Sequence, residues 1–381
     1  MKTLNEHTFP QYQNEDSNGP SWLVMKFGGT SVSSLENWAT IRDLSRERLA
    51  YGFRLLVVHS ALATVSNHLE TIINTIASGD CQQNLHAIRT QHLELAANLG
   101  VDGALILGGL FTELEHLLNG VQAARRVDPA SHARIMAMGE LMATTIGAAY
   151  LEQQGLKTSW IDARDVLKSV TSPDENERTA YLAASCDSGI DRELQSSFSR
   201  RPGVIVTQGF IAGNPGGECV LLGRGGSDTS AAYFAAKLQA RGLEIWTDVP
   251  GLFSADPRVV SSARLLNVLS YEEAQEIAST GGSVLHPRCL RPVRQQDIDL
   301  RVRCTHKPAL PGTLITRDAG RDTPGLKALS SRENITVVSM ETLGMWREAG
   351  FLAEAFKCFA DLGLSIDLVS TAESNVTVTL D

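Results

Sequence analysis

Lys26-Phe27-Gly28-Gly29-Thr30-Ser31 closes an apolar run that begins at Trp22. Residues 22–27 read as a short buried strand, and Gly28-Gly29 breaks it. A strand that delivers a lysine into two glycines, with hydroxyls at the following helix start, exposes backbone N–H groups that favour an anion. Lys26 would add a mobile positive charge for the β- and γ-phosphates of a nucleotide. The same residues also fit a glycine turn beside a solvated lysine. The spacing is not the G-x-x-x-x-G-K-[ST] of the commonest phosphate loop.

Outward from this turn the pattern alternates. Residues 33–49 read as helix, 54–59 as a second buried strand, and 67–77, 85–127 and 134–150 as helical stretches. Further strands are expected at 156–161, 204–207, 244–247 and 300–303. Short strands separated by helices predict an α/β fold with a mostly parallel central sheet and helices on both faces. Pro308, Pro311, Gly312, Pro324 and Gly325 mark a boundary within 307–333. Beyond it come a strand (335–340), a helix (351–362), a strand (365–370), a turn and a strand (375–380). This β-α-β-β order is the front part of a ferredoxin-like module, and it reads as incomplete. The expected division is a flexible tail over 1–20, a catalytic domain over 21–325 and the module over 326–381.

Three other segments carry chemistry. Residues 222–229 read LGRGGSDT and lead into a helix, which makes a second anion site. Arg224 there could bond a substrate carboxylate through two donors, while Asp228 also fits a plain helix cap. Residues 246–258 read WTDVPGLFSADPR, an apolar strand running into polar groups and turns. In open α/β sheets ligands sit beyond such strand ends, although Asp256-Pro257 alone reads as a turn. Glu140 stands in an apolar helical stretch, where an acid must be paired, bound to a ligand or turned to water at the helix edge.

The bulk numbers exclude several classes. The 381 residues carry a net charge of −9, which argues against nucleic acid as the main partner. The six cysteines are scattered without C-x-x-C spacing, as expected of reduced thiols in a cytoplasmic protein, and no metal site is expected from them. The first twenty residues lack a signal-peptide pattern, and no apolar stretch is long enough to span a membrane.

Taken in order, residues 26–32 (KFGGTSV), 207–210 (TQGF), 223–228 (GRGGSD), 247–251 (TDVPG), 256–260 (DPRVV) and 284–287 (VLHP) resemble the aspartate kinases of the amino-acid-kinase superfamily. The resemblance covers about residues 22–381. It implies a three-layer amino-acid-kinase fold and transfer of the γ-phosphate of ATP, with Mg²⁺, to the side-chain carboxylate of aspartate. It implies catalytic roles for Lys26 and Asp228, and an aspartate pocket of Ser60, Ser66, Glu140, Arg224 and Ser227. The nucleotide side would comprise Lys26, Gly28, Gly29, Thr247, Asp248, Phe253, Arg258 and Ser283. Phe253 stands where relatives have tyrosine, and Ser283 where they commonly have lysine. The tail resembles the first ACT module of lysine-sensitive members. That implies an amino-acid effector, lysine first, near Met345, Gly350, Phe351, Leu352, Ser365, Ile366 and Asp367. Glu348 and Ala372 depart from the small hydroxyl residues of those relatives. A homodimer or higher oligomer is expected. A catalytically weak sensing subunit, or the front of a fusion with another enzyme of the pathway, is the alternative.

Overall fold

The structure, a computed structural model, describes residues 21–76, 81–171, 175–280, 284–319, 325–331, 334–341, 350–362, 364 and 366–380. It divides into two compact units, Met1–Leu329 and Ser330–Asp381.

The first unit opens with β1 (Trp22–Phe27), α1 (Leu35–Ala50), β2 (Arg54–His59), α2 (Val65–Thr75), α3 (Gln82–Asn98), α4 (Gly103–Ala124) and α5 (Pro129–Gln153). Then follow β3 (Thr158–Ile161), α6 (Ala163–Val166), β4 (Ser169–Val170), α7 (Glu177–Leu182), β5 (Ser185–Cys186), α8 (Arg192–Ser199), β6 (Val204–Gln208), β7 (Ile211–Gly213) and β8 (Cys219–Leu221). It closes with α9 (Gly226–Leu238), β9 (Gly242–Thr247), β10 (Val268–Leu269), α10 (Tyr271–Ser279), α11 (Leu290–Gln295), β11 (Asp299–Cys304) and β12 (Thr313–Ile315).

Eight strands form one sheet in the order β10-β12-β11-β9-β1-β2-β6-β3, parallel except for the β11–β12 pair. The chain builds outward from β1 in both directions. The β1–β9 seam is therefore the switch point of an open sheet, where ligands bind beyond the strands' carboxyl ends. The register levels those ends. Phe27 lies beside both His59 and Trp246, His59 beside Gln208, and Thr247 beside Cys304. β1 is buried along its whole length and so are five of six residues of β2, which is why these strands read as continuous apolar runs. Helix α9 is buried almost throughout, and Ala231, Ala232, Ala235 and Ala236 let it lie close in.

The apolar stretch 85–127 contains two helices, not one. Gly100 takes φ +72°, a left-handed turn that favours glycine, and the Asp102 carboxylate caps α4 by accepting from the Leu105 N–H. The strands β4, β5, β7, β8, β10 and β12 were not expected. Each has two or three residues, too few to show alternation.

The second unit holds β13 (Thr336–Glu341), α12 (Phe351–Asp361), β14 (Ile366–Thr371) and β15 (Asn375–Leu380). Its antiparallel sheet has the order β13-β15-β14. Val376, Val378 and Leu380 are buried on one face of the central strand, at the period of two that the sequence shows. No helix among the described residues is long and apolar enough to cross a membrane.

Candidate active site

β1 ends by delivering Lys26 to Asp228, which sits in the first turn of α9. Nζ and Oδ1 are 2.6 Å apart, and each side chain is only 11% exposed. α9 starts from Gly225 at φ +67°, and no side chain caps it. Asp228 is therefore an ion-pair partner and not the cap. A pair this sheltered from water is screened less than a surface pair.

The glycines after Lys26 allow close approach. A Cβ on Gly29 would lie 2.9 Å from the Ala61 carbonyl oxygen and 3.2 Å from the Ala63 nitrogen, so the 61–63 loop needs glycine there. A Cβ on Gly28 would sit 3.7 Å from Lys26 Nζ. Ser33 Oγ stitches the two loops, donating to the Gly29 carbonyl at 2.7 Å and accepting from the Ala63 N–H at 2.9 Å.

On the other side of these loops Glu140 projects from α5. It is 3% exposed, so the water-facing alternative is wrong. Oε1 accepts from the Ala61 N–H at 3.3 Å, and Oε2 is buried with no hydrogen-bond partner. Burial pushes its pKa up to about 8, against weaker lowering by the Ala61 N–H. A buried, half-satisfied carboxyl beside the Gly28-Gly29 turn suits a cationic group on a ligand.

Ser60 Oγ donates to Ser227 Oγ at 2.9 Å and joins the end of β2 to the start of α9. Ser227 is pressed against Gly209, where a Cβ would come within 2.7 Å of Ser227 Cβ. The next residue, Phe210, takes φ +68°, an uncommon conformation for a bulky residue and a mark of local strain. Ser66 is half-buried in the first turn of α2. Arg224 is exposed, and no hydrogen bond or ion pair commits it among the described residues.

Of the residues expected on the nucleotide side, Thr247 ends β9 and Asp248 follows it, while Phe253 and Arg258 lie in the loop beyond. The Gly28 N–H donates to the Trp246 carbonyl at 3.3 Å, and Phe27 and Trp246 stack at 6.0 Å. Thr247 Oγ1 donates to Asp248 Oδ1 at 3.0 Å. The turn carrying Phe253 is held by the Leu252 N–H on Thr313 Oγ1 at 2.9 Å. Arg258 is 80% exposed and engages the carboxylate of Asp256. Ser283 lies outside the described residues. In the second unit Gly350 starts α12 at φ +98°, with Phe351 and Ile366 half-buried and Leu352 and Asp367 exposed. Met345 and Ser365 fall outside the described residues.

Sequence reasoning gave no role to four residues that hold this region together. His59 is fully buried, and Nδ1 must donate to the Ser60 carbonyl at 3.0 Å because a carbonyl only accepts. Burial holds its pKa down to about 4, so it is neutral. Thr144, one turn after Glu140, donates to the Glu140 carbonyl and accepts from Gln208 Nε2 at 2.8 Å. The TQGF segment thereby ties β6 to the turn of α5 that carries Glu140. His286 crowds Gly225, and a Cβ there would come within 2.1 Å of the ring. Arg288 reaches back to the turn before α9. The VLHP match pointed at His286, and nothing in the sequence pointed at the contacts of Arg288.

Among the described residues no group of three or more His, Cys, Asp or Glu could hold a metal ion. A Mg²⁺ carried mainly by phosphates, with one protein carboxylate, is the arrangement that fits the donors present.

Residues 21–304 match the model of the amino acid kinase family. The chain is 34% identical over 364 residues to lysine-sensitive aspartokinase 3 of Escherichia coli (strain K12), covering 94% of this chain and 78% of that one. It is 33% identical over 368 residues to the chloroplastic aspartokinase 3 of Arabidopsis thaliana, of whose length it spans 64%. Among solved structures it is similar to E. coli aspartokinase III in complex with aspartate and ADP, with a TM-score of 0.79, 32% identity and coverage of 94% and 78%.

Proposed function

The chain belongs to the amino acid kinase family and is an aspartate kinase; from that premise we propose how its residues divide the reaction. ATP is the phosphoryl donor and the side-chain carboxylate of L-aspartate the acceptor, giving 4-phospho-L-aspartate and ADP. The acceptor is already ionised, so no strong general base is needed. Catalysis is positioning and charge neutralisation.

Lys26 neutralises charge on the transferred phosphoryl group, and Asp228 orients its ammonium. Gly28 and Gly29 line the phosphates, with the Gly29 N–H turned to them. Thr247, Asp248, Phe253, Arg258 and Ser283 form the nucleotide side. Asp228 would be the protein's carboxylate toward a Mg²⁺ carried on the ATP phosphates, which would supply further charge neutralisation when bound. Arg224 grips a carboxylate of aspartate with its planar fork, Glu140 receives the α-ammonium, and Ser60, Ser66 and Ser227 line the pocket. The observation that carries this reading is the unpaired buried Oε2 of Glu140 on the far side of the 61–63 loop from the glycine turn.

We further infer that residues 326–381 form a regulatory module that binds an amino-acid effector, lysine first. The name of the lysine-sensitive E. coli relative supports this. The edge strand β14 leaves Leu368 68% and Val369 49% exposed, which supports a homodimer or higher oligomer built partly through the module. Six free thiols support a cytoplasmic setting.

The test is ADP release with ATP, Mg²⁺ and a panel of amino acids, with hydroxylamine to trap acyl phosphate. Aspartate-dependent turnover with a trapped hydroxamate is expected, and it should fall when lysine is added. Preference for glutamate, or ADP release without a hydroxamate, would contradict the reading.

A further inference from the structure

Arg224 and Asp228 stand on one segment but are held differently. Asp228 is inside α9, whose backbone fixes it. Arg224 lies outside the helix between Gly223 at φ +70° and Gly225 at φ +67°. Two glycines in left-handed conformations leave the backbone around Arg224 with little stiffness of its own. The Gly226 N–H closes the turn on the Gly223 carbonyl at 3.0 Å and the Leu222 N–H bonds the Phe210 carbonyl at 2.8 Å, and a side chain adds a further hold from the other side.

The Arg288 guanidinium does this. Nη1 donates to the Leu222 carbonyl at 2.5 Å, and Nη2 donates to the Ala184 carbonyl at 2.9 Å and to Ser185 Oγ at 3.2 Å. The Ala184 N–H in turn donates to the Leu221 carbonyl at 2.9 Å. The clasp thus joins β8 and the start of the 222–225 turn to the segment entering β5. Its root is fixed as well. The Arg288 N–H donates to His286 Nδ1 at 3.3 Å, and neighbouring Cys289 is fully buried against α9. A Cβ on Gly223 would lie 3.4 Å from Nη1, so the turn closes down on the guanidinium.

We propose that Arg288 is a positioning residue for the aspartate site: it clamps the Leu222 and Ala184 carbonyls and so sets the reach of Arg224 toward the substrate carboxylate. This rests on the assignment of Arg224 to aspartate above. These contacts spend three of its five N–H donors. An ammonium cannot span the two carbonyls as the planar fork does.

The experiment compares wild type, Arg288→Met, Arg288→Lys and Ser185→Ala by steady-state kinetics, thermal melting and hydrogen exchange of the 222–226 amides. Arg288→Met should raise the aspartate KM by about 10- to 100-fold, with kcat and the ATP KM changed no more than about threefold. Arg288→Lys should fall between it and wild type, and Ser185→Ala should move KM in the same direction by less. The 222–226 amides should exchange faster in Arg288→Met, and this readout does not depend on turnover. Unchanged exchange of those amides in a folded Arg288→Met overturns the clasp. A salt-sensitive rise in the ATP KM instead would make Arg288 a phosphate contact and also overturn it. If Arg288→Met does not fold, Arg288→Lys with wild-type exchange of those amides overturns it equally. Faster exchange with an unchanged KM would sink the assignment of Arg224 and leave the mechanical clasp standing.

Discussion

The proposed phosphoryl half and the proposed aspartate half of the site are built on opposite plans. In the first, Lys26 and Asp228 are paired at 2.6 Å before any ligand arrives. In the second, Glu140 keeps a buried oxygen without a partner, and Arg224 is exposed and uncommitted. A group that must act on developing charge is best oriented beforehand, since reorganising it during the reaction costs rate. A group that must hold a zwitterion is best left unsatisfied, so that the substrate completes it. The contrast assigns losses in kcat to one half and losses in KM to the other.

The largest effect should come from Asp228→Ala. It removes the partner of Lys26 and should lower kcat by about 10²–10³-fold with little change in the aspartate KM. Near wild-type turnover would break the contrast at its strong end.

Glu140→Gln should act on binding, raising the aspartate KM by roughly 10- to 100-fold. It should also stabilise the fold. The folded pKa is raised to about 8, above the ordinary value of 4.5. Between those limits the unfolded chain loses its proton and the folded chain keeps it, so wild-type stability falls as pH rises through that window. Thermal melts at pH 5 and pH 8 should show a pH-dependent loss in wild type that is smaller in Glu140→Gln. Equal loss in both would show that Glu140 is not held neutral.

Arg224→Lys should raise the aspartate KM by about tenfold, because one ammonium cannot replace a two-donor fork. A fall confined to kcat would move Arg224 into the phosphoryl half.

Ser283→Lys should have the smallest effect, a tightening of ATP by about 1 kcal/mol, or several-fold, that shrinks in high salt. Arg258 and Arg288 are the sequence neighbours that could already supply a cation there. Arg258 is engaged by Asp256, and Arg288 by backbone carbonyls. An ATP dissociation constant unchanged at low salt would show that the charge is not missing.

Much of this plan was legible in the sequence. β1, β2 and β6 are buried central strands marked by near-continuous apolar runs, whereas β9 and β11 carry Glu244, Arg301 and Arg303 among their apolar residues. The glycines of KFGG and GRGG announced their turns, and Gly29, Gly223, Gly225 and Gly226 need to be glycine because a side chain there meets a close neighbour or a left-handed backbone. The two fates of Lys26 and Arg224 were not legible. Both are cations beside glycines, and only the start of α9 turning Asp228 toward β1 separates them. Glu140 could equally have faced water, since α5 is apolar nearly all round and offers no period to orient it. The carbonyl contacts of Arg288 left no trace, because backbone acceptors carry no residue identity.

The most direct test of the contrast is proton release on aspartate binding, measured by calorimetry at pH 7 in buffers of different ionisation enthalpy. With Glu140 at about pKa 8 in the free enzyme, aspartate should displace about 0.9 proton per site as its ammonium meets the carboxylate. Glu140→Gln should release none. No proton release from wild type, with aspartate bound, would contradict the account.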